Sequence, residues 1–91
     1  MIKHVSITIK GKVQGVGFRF CTIEKALELG LTGIVKNYSK DEVHIEVEGE
    51  VEKLQPFLKW CHRGPEGATI EKVDFASTEE LQNYPDFSAE Q

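Results

Sequence analysis

Ninety-one residues leave room for one domain around one hydrophobic core. Acidic residues outnumber basic ones 15 to 11, for a formal net charge of −4, which argues against a long nucleic-acid backbone as partner but allows one small anion in a local cationic pocket. The N-terminus Met1-Ile2-Lys3-His4-Val5-Ser6 has no apolar leader, and no apolar run is long enough to cross a bilayer. These features predict a single domain over residues 1–91, placed in the cytoplasm, with no membrane partner.

Val5, Ile7 and Ile9 alternate with His4, Ser6, Thr8 and Lys10, the period-two pattern of a strand with one buried face. His4 falls on the polar side and is expected to face solvent. Gly11, Gly15 and Gly17 then interrupt regular structure. From Phe20 the spacing becomes helical, with Phe20, Ile23, Ala26 and Leu27 on one face, Cys21 off it, and Gly30 as the stop. Leu31 to Tyr38 reads as a second strand, and Ser39-Lys40-Asp41-Glu42 as a turn. Val43, Ile45 and Val47 alternate with His44, Glu46 and Glu48, giving a third strand and a hairpin.

Val51, Leu54, Leu58 and Cys61 recur at helical spacing, with Phe57 and Trp60 alongside. Pro56 removes a backbone donor there, so the helix either starts late or is kinked. Arg63-Gly64-Pro65-Glu66-Gly67 breaks it. Ile70, Val73 and Phe75 suggest a fourth strand with one slip in its alternation, read as a bulge. Ser77 to Pro85 looks like a loop, and Tyr84 or Phe87 anchors a short closing strand. The order strand, helix, strand, strand, helix, strand leads to an α+β ferredoxin-like split βαβ sandwich, an antiparallel sheet covered on one face by two helices. That topology hosts many functions, so the chemistry must come from a site.

Gly11-Lys12-Val13-Gln14-Gly15-Val16-Gly17-Phe18-Arg19 joins a strand to a helix through a glycine-rich loop. Glycines let backbone approach a ligand closely, and successive N–H groups beside a helix start form a concave anion site. Arg19 adds a guanidinium fork suited to two phosphate oxygens. Physics alone leaves two readings open: a pocket for one phosphate-sized group, or a common turn whose arginine meets solvent. The stretch fits neither the Walker A spacing nor the dinucleotide G-x-G-x-x-G pattern.

The same nine residues resemble the acylphosphatase signature at every fixed position. Leu29-Gly30-Leu31-Thr32-Gly33 with Val35-Lys36-Asn37 is similar to that family's second signature, and Val43-x-Ile45-Glu46-x-Glu48-Gly49 and Gly64-Pro65 sit where the family has them, so the similarity covers roughly residues 3 to 75. The resemblance implies a hydrolase acting on small-molecule acyl phosphates. In it Arg19 and loop amides from Gln14, Gly15, Val16, Gly17 and Phe18 grip the phosphoryl group, and Asn37 positions the attacking water. From the residues alone, Asn37 reads as a polar strand end capping a turn. The resemblance implies no metal and no cofactor, inorganic phosphate or sulfate as product or inhibitor, and a monomer.

One departure is visible: the family's hairpin after the asparagine is usually Asp-Gly, whereas Lys40-Asp41 contains no glycine and suits a primed turn less well. Tyr38 could rim the pocket or be an ordinary aromatic. An RNA-binding module of the same topology is one alternative, which Gln14 to Phe20 superficially echoes, although that motif belongs on a strand and the polar sheet face carries His44, Glu46 and Glu48 rather than stacking aromatics. A non-catalytic phosphate-binding module of the same topology is the other alternative.

Overall fold

A computed structural model describes residues 1–90. The elements are β1 (Ile2–Lys12), α1 (Phe18–Glu28), β2 (Thr32–Ser39), β3 (Glu42–Glu50), α2 (Val51–Arg63), β4 (Thr69–Thr78) and β5 (Phe87–Ala89). The sheet order is β4-β1-β3-β2-β5. β1 pairs antiparallel with both β3 and β4, β3 pairs antiparallel with β2, and β5 lies parallel to β2. The sheet is therefore mixed and five-stranded, with one parallel edge added to the expected antiparallel core. Gly33↔Phe87, Ile34↔Ser88 and Val35↔Ala89 are the partners of that edge. Three residues are too few to show a period in sequence.

The alternation read from β1 and β3 sets the layers. Val5, Ile7 and Ile9 meet Val47, Ile45 and Val43 across the strand pair, and all six are buried under the helices. α2 adds Leu54, Phe57 and Cys61 to this core. It runs from Val51 through Pro56 without a late start, so the proline lies inside the helix. The slip in β4 is a bulge: Lys10 pairs with Lys72 while Gly11 pairs with Ile70, leaving Glu71 as the extra residue.

α1 differs from its sequence reading. The helix starts at Phe18, and Phe18, Thr22 and Ala26 are its buried residues, whereas Phe20 and Leu27 are exposed. The buried face follows the i, i+4, i+8 row set by Phe18, which packs at 5.7 Å on Trp60 of α2. A frame counted from Phe20 is rotated away from the sheet.

Gly33 is required by contact as well as by conformation. Its φ is 148°, and a Cβ there would overlap the Glu46 carbonyl oxygen of the neighbouring strand.

Candidate functional site

Because β1 and β2 both run antiparallel to β3, they end at the same end of the sheet. The chain leaving β1 and the end of β2 are thereby brought together, with one strand between them. Strand spacing puts the two axes about 10 Å apart.

The chain leaving β1 is the glycine loop. Val13 and Phe18 are buried at its two ends, fixing it to the core. Gly15 and Gly17 have φ of 77° and 68°, and Val16 between them is not left-handed. Alternating handedness turns successive N–H groups to one side, which makes a concave anion cradle. Both glycines have open space around them, so conformation rather than crowding demands them. Gly17 is also the N-cap of α1, with no capping side chain, and the Cys21 N–H donates to its carbonyl at 2.9 Å. The first turn beyond it leaves N–H groups without intrahelical partners, at the positive end of the helix dipole. No acidic residue occupies that first turn.

Arg19 projects from this turn. It is half-buried and forms no ion pair among the described residues. Gly64 and Gly67 line the cradle's back: a Cβ on either would come within 3.3 Å of Phe18 or Val16 respectively.

Asn37 pairs with Val43 in the β2–β3 ladder, and Val43 is fully buried on the helix-covered face. Cross-strand partners share a face, so Asn37 lies on that face, beyond the core, where it is exposed. Asn37 thus faces the helix side of the sheet, at the end where the loop leading to Arg19 leaves β1. Gln14 ties the two parts together, its Nε2 donating to the Ser39 carbonyl at 2.9 Å, and the Gly11 N–H donates to the Asp41 carbonyl at 2.9 Å.

Tyr38 does not rim the cradle. Its ring stacks on His44 at 4.4 Å and 3° on the opposite, open face of the sheet. Asn37 pairs with Val43 while Ser39 pairs with Glu42, so Tyr38 is a bulged residue. The bulge explains the missing glycine in the hairpin. Neither Lys40 nor Asp41 has positive φ, because the extra residue supplies the twist that a primed turn would otherwise provide.

A second polar cluster lies on the open face and was not legible in the sequence. His4 is 5 % exposed, against the expectation of a solvent-facing side chain. Its Nδ1 and Nε2 lie 2.6 Å from carboxylate oxygens of Glu48 and Glu46. Carboxylates only accept, so both ring nitrogens donate and His4 is an imidazolium. Burial opposes that charge, but the hydrogen bonds to Glu48 and Glu46 and their charges outweigh it and raise the pKa above 6.5. Glu48 also accepts the N–H groups of Gln82 and Asn83, the latter at 2.9 Å, and the Tyr84 ring lies over His4 at 6.1 Å. The segment after β4 is what covers His4. Among the described residues, no group of three or more His, Cys, Asp or Glu side chains is arranged to hold a metal ion.

A family model described as Acylphosphatase matches residues 5–89. The chain belongs to the acylphosphatase family. It is 43% identical over 86 residues to an acylphosphatase of Marinobacter nauticus, covering 94% of each chain, and 41% identical to one of Vibrio parahaemolyticus over 94% of this chain and 91% of that one. The solved acylphosphatase of Bacillus subtilis superposes with a TM-score of 0.93 at 30% identity, covering all of both chains. Full-length HypF, in its phosphate- and nucleotide-bound form, contains a similar region at 34% identity and a TM-score of 0.90, but that region is 12% of its chain. The family match reaches beyond the expected limit near residue 75 to include β5. As an acylphosphatase the chain is an enzyme, and none of its described helices is long and apolar enough to cross a membrane.

Proposed function

We propose that the chain hydrolyses the carboxyl–phosphate bond of small acyl phosphates at the end of the sheet where the glycine loop meets β2. One observation carries the reading: a cradle of left-handed glycines, followed by an Arg19 with no ion pair among the described residues, lies at the end of the sheet where Asn37 faces the helix side. In this reading the N–H groups from Gln14 to Phe18 and the Arg19 fork hold the three phosphoryl oxygens. Asn37 orients a water in line with the leaving carboxylate. The water oxygen bonds to phosphorus, the bond from phosphorus to the carboxyl oxygen breaks, and a phosphoryl oxygen takes the water's proton. Carboxylate and dihydrogen phosphate leave.

A carboxylate is a good leaving group, so little acid help is needed. Catalysis then rests on position and on charge stabilisation at the equatorial oxygens. Fixed N–H dipoles and one guanidinium suffice for that, with no metal or cofactor in the scheme. Inorganic phosphate and sulfate, having the geometry of the bound head, would inhibit competitively. The reading includes residues 1–91 as one domain acting as a cytoplasmic monomer, without nucleic-acid or membrane partners.

The test is turnover of benzoyl phosphate in EDTA by the wild type, Arg19→Ala and Asn37→Ala. Each substitution is expected to cost roughly 10²–10³-fold in kcat, the usual scale for one lost transition-state contact. Full activity in Asn37→Ala would remove the water-positioning role, and full activity in Arg19→Ala would remove the clamp. A folded but inactive wild type would leave a phosphate-binding module.

A further inference from the structure

α2 carries a second stripe, of which only Trp60 packs against the core. Pro56, Lys59, Trp60 and Arg63 recur at i, i+3, i+4 and i+7, and with His62 and Lys25 of α1 they line a cavity of about 510 Å³ on the outer side of the helix pair. Small-molecule sites are ordinarily roughly 300–1,000 Å³.

The charge of this cavity is opposite to that of the chain. Three permanent cations and one imidazole gather there in a protein of net charge −4. Lys25 is held by Glu28 at 2.8 Å, and Glu24 and Glu28 border the adjoining hollow with Cys21. Lys59, His62 and Arg63 have no carboxylate within ion-pair distance among the described residues. His62 Nδ1 donates to the Leu58 carbonyl at 3.0 Å. Cations in the last turn of a helix interact favourably with its dipole, which accounts for His62 and Arg63. The same effect accounts for Lys25 in the last turn of α1, but not for Lys59, which lies a turn before the end of α2.

The floor of the cavity is rigid and flat. Trp60 is half-buried, its ring 5.7 Å from Phe18 and 6.2 Å from Phe57, so the indole has little freedom. Pro56 adds a second flat apolar surface one turn away, at a place where a helix normally avoids proline.

The geometry points to a second anion site in this cavity, for a phosphate-bearing ligand with a flat ring, of the nucleoside polyphosphate class. The ring lies on Trp60 and Pro56, and the phosphates meet Lys59 and Arg63. A bare phosphate would leave the aromatic floor uncovered, and an apolar ligand would leave the cations unused. The cavity shares no lining residue with the glycine loop.

Trp60 is the chain's one tryptophan, so its fluorescence reports the cavity directly. ATP, excited at wavelengths it does not absorb, is expected to give a saturable change in the wild type and an equal one in Arg19→Ala. Lys59→Glu/Arg63→Glu, checked for folding by far-UV circular dichroism, is expected to weaken binding roughly tenfold or more by losing two charge-assisted contacts. If that variant fails to fold, Lys59→Gln replaces it, with an expected loss of about threefold. Inorganic tripolyphosphate, lacking the ring, is expected to bind about tenfold more weakly than ATP. No saturable change, an affinity indifferent to the charge substitutions, or loss of ATP binding in Arg19→Ala would overturn the site. Equal affinity for tripolyphosphate would overturn the ligand class.

Discussion

Replacing Glu48 by glutamine should loosen the whole segment after β4. The carboxylate is 4 % exposed and accepts from His4 Nδ1 at 2.6 Å, from the Asn83 N–H at 2.9 Å, and from the Gln82 N–H. Glutamine keeps the volume but loses the charge and one acceptor oxygen. A hydrogen bond to a charged group contributes about 1.5–3 kcal/mol, and a buried donor left without an acceptor costs about 1–3 kcal/mol. Water entering as the segment opens offsets part of the second cost, so about 3 kcal/mol is the expected loss near pH 6. For a chain of this size that corresponds to a fall in Tm of roughly 12–24 °C. Amide exchange at Gln82 and Asn83 should accelerate before the rest of the sheet does.

The pH dependence separates the ion pair from simple packing. The raised pKa of His4 means that its contribution is complete below its unfolded value of 6.5 and disappears as pH rises through the folded value. Glu48 behaves in the opposite sense. Burial pushes it up, but the Gln82 N–H, His4 and the Asn83 N–H outweigh burial and lower it from 4.5, so its contribution is complete above 4.5 and disappears as pH falls through the folded value. The clasp is therefore whole between 4.5 and 6.5. Urea unfolding of the wild type and His4→Gln at about pH 5.5 and about pH 9 should show a penalty roughly 2 kcal/mol larger at the lower pH. An equal penalty at both would refute the charged His4 and the argument built on it.

Three further outcomes follow from particular positions. Gly33→Ala should prevent folding or cost more than about 4 kcal/mol, because its Cβ meets the Glu46 carbonyl, whereas Gly30→Ala should cost only about 1–2 kcal/mol, since φ there is 72° with open space; urea titration compares them. A thiol reagent should label one cysteine in the native chain and two in urea: Cys21 is half-buried, while Cys61 is fully buried and burial pushes its thiol up to about 12. Gln14→Ala should raise the KM for benzoyl phosphate about threefold to tenfold while changing stability by less than about 0.5 kcal/mol, because its bond to the Ser39 carbonyl is exposed but ties the cradle to β2.

Local patterns that repeat within a few residues were legible in the sequence. The β1 and β3 alternation named the core valines and isoleucines, and the helical spacing of α2 named Leu54 and Cys61, although the third buried residue is Phe57 rather than Leu58, which is only partly buried. What escaped depends on contacts distant in sequence. Alternation assigned His4 to the polar face correctly, yet cannot tell what covers that face: Glu48 lies 44 residues away, and the covering segment follows β4. The α1 frame failed for a related reason. Phe18 reads as part of the glycine motif, but its contact with Trp60 turns it inward and sets the helix phase. The closing strand expected at Phe87 is β5, but its parallel pairing with β2 could not be read locally, since it involves only three residues.

The placement of Asn37 beside the glycine loop follows from strand direction rather than from any spacing between the two motifs. β1 and β2 end together because each is antiparallel to β3, and β3 sets the gap between them. The hairpin from β2 to β3 lies across that gap and offers the carbonyls of Ser39 and Asp41 to Gln14 and Gly11. Its glycine-free turn leaves this arrangement intact, because the extra residue at Tyr38 restores the twist while Asn37 keeps its ladder partner Val43. A bulge placed one residue earlier would have turned Asn37 to the open face, away from the cradle. The position of that single extra residue therefore decides whether the asparagine faces the side of the sheet that carries α1 and Arg19.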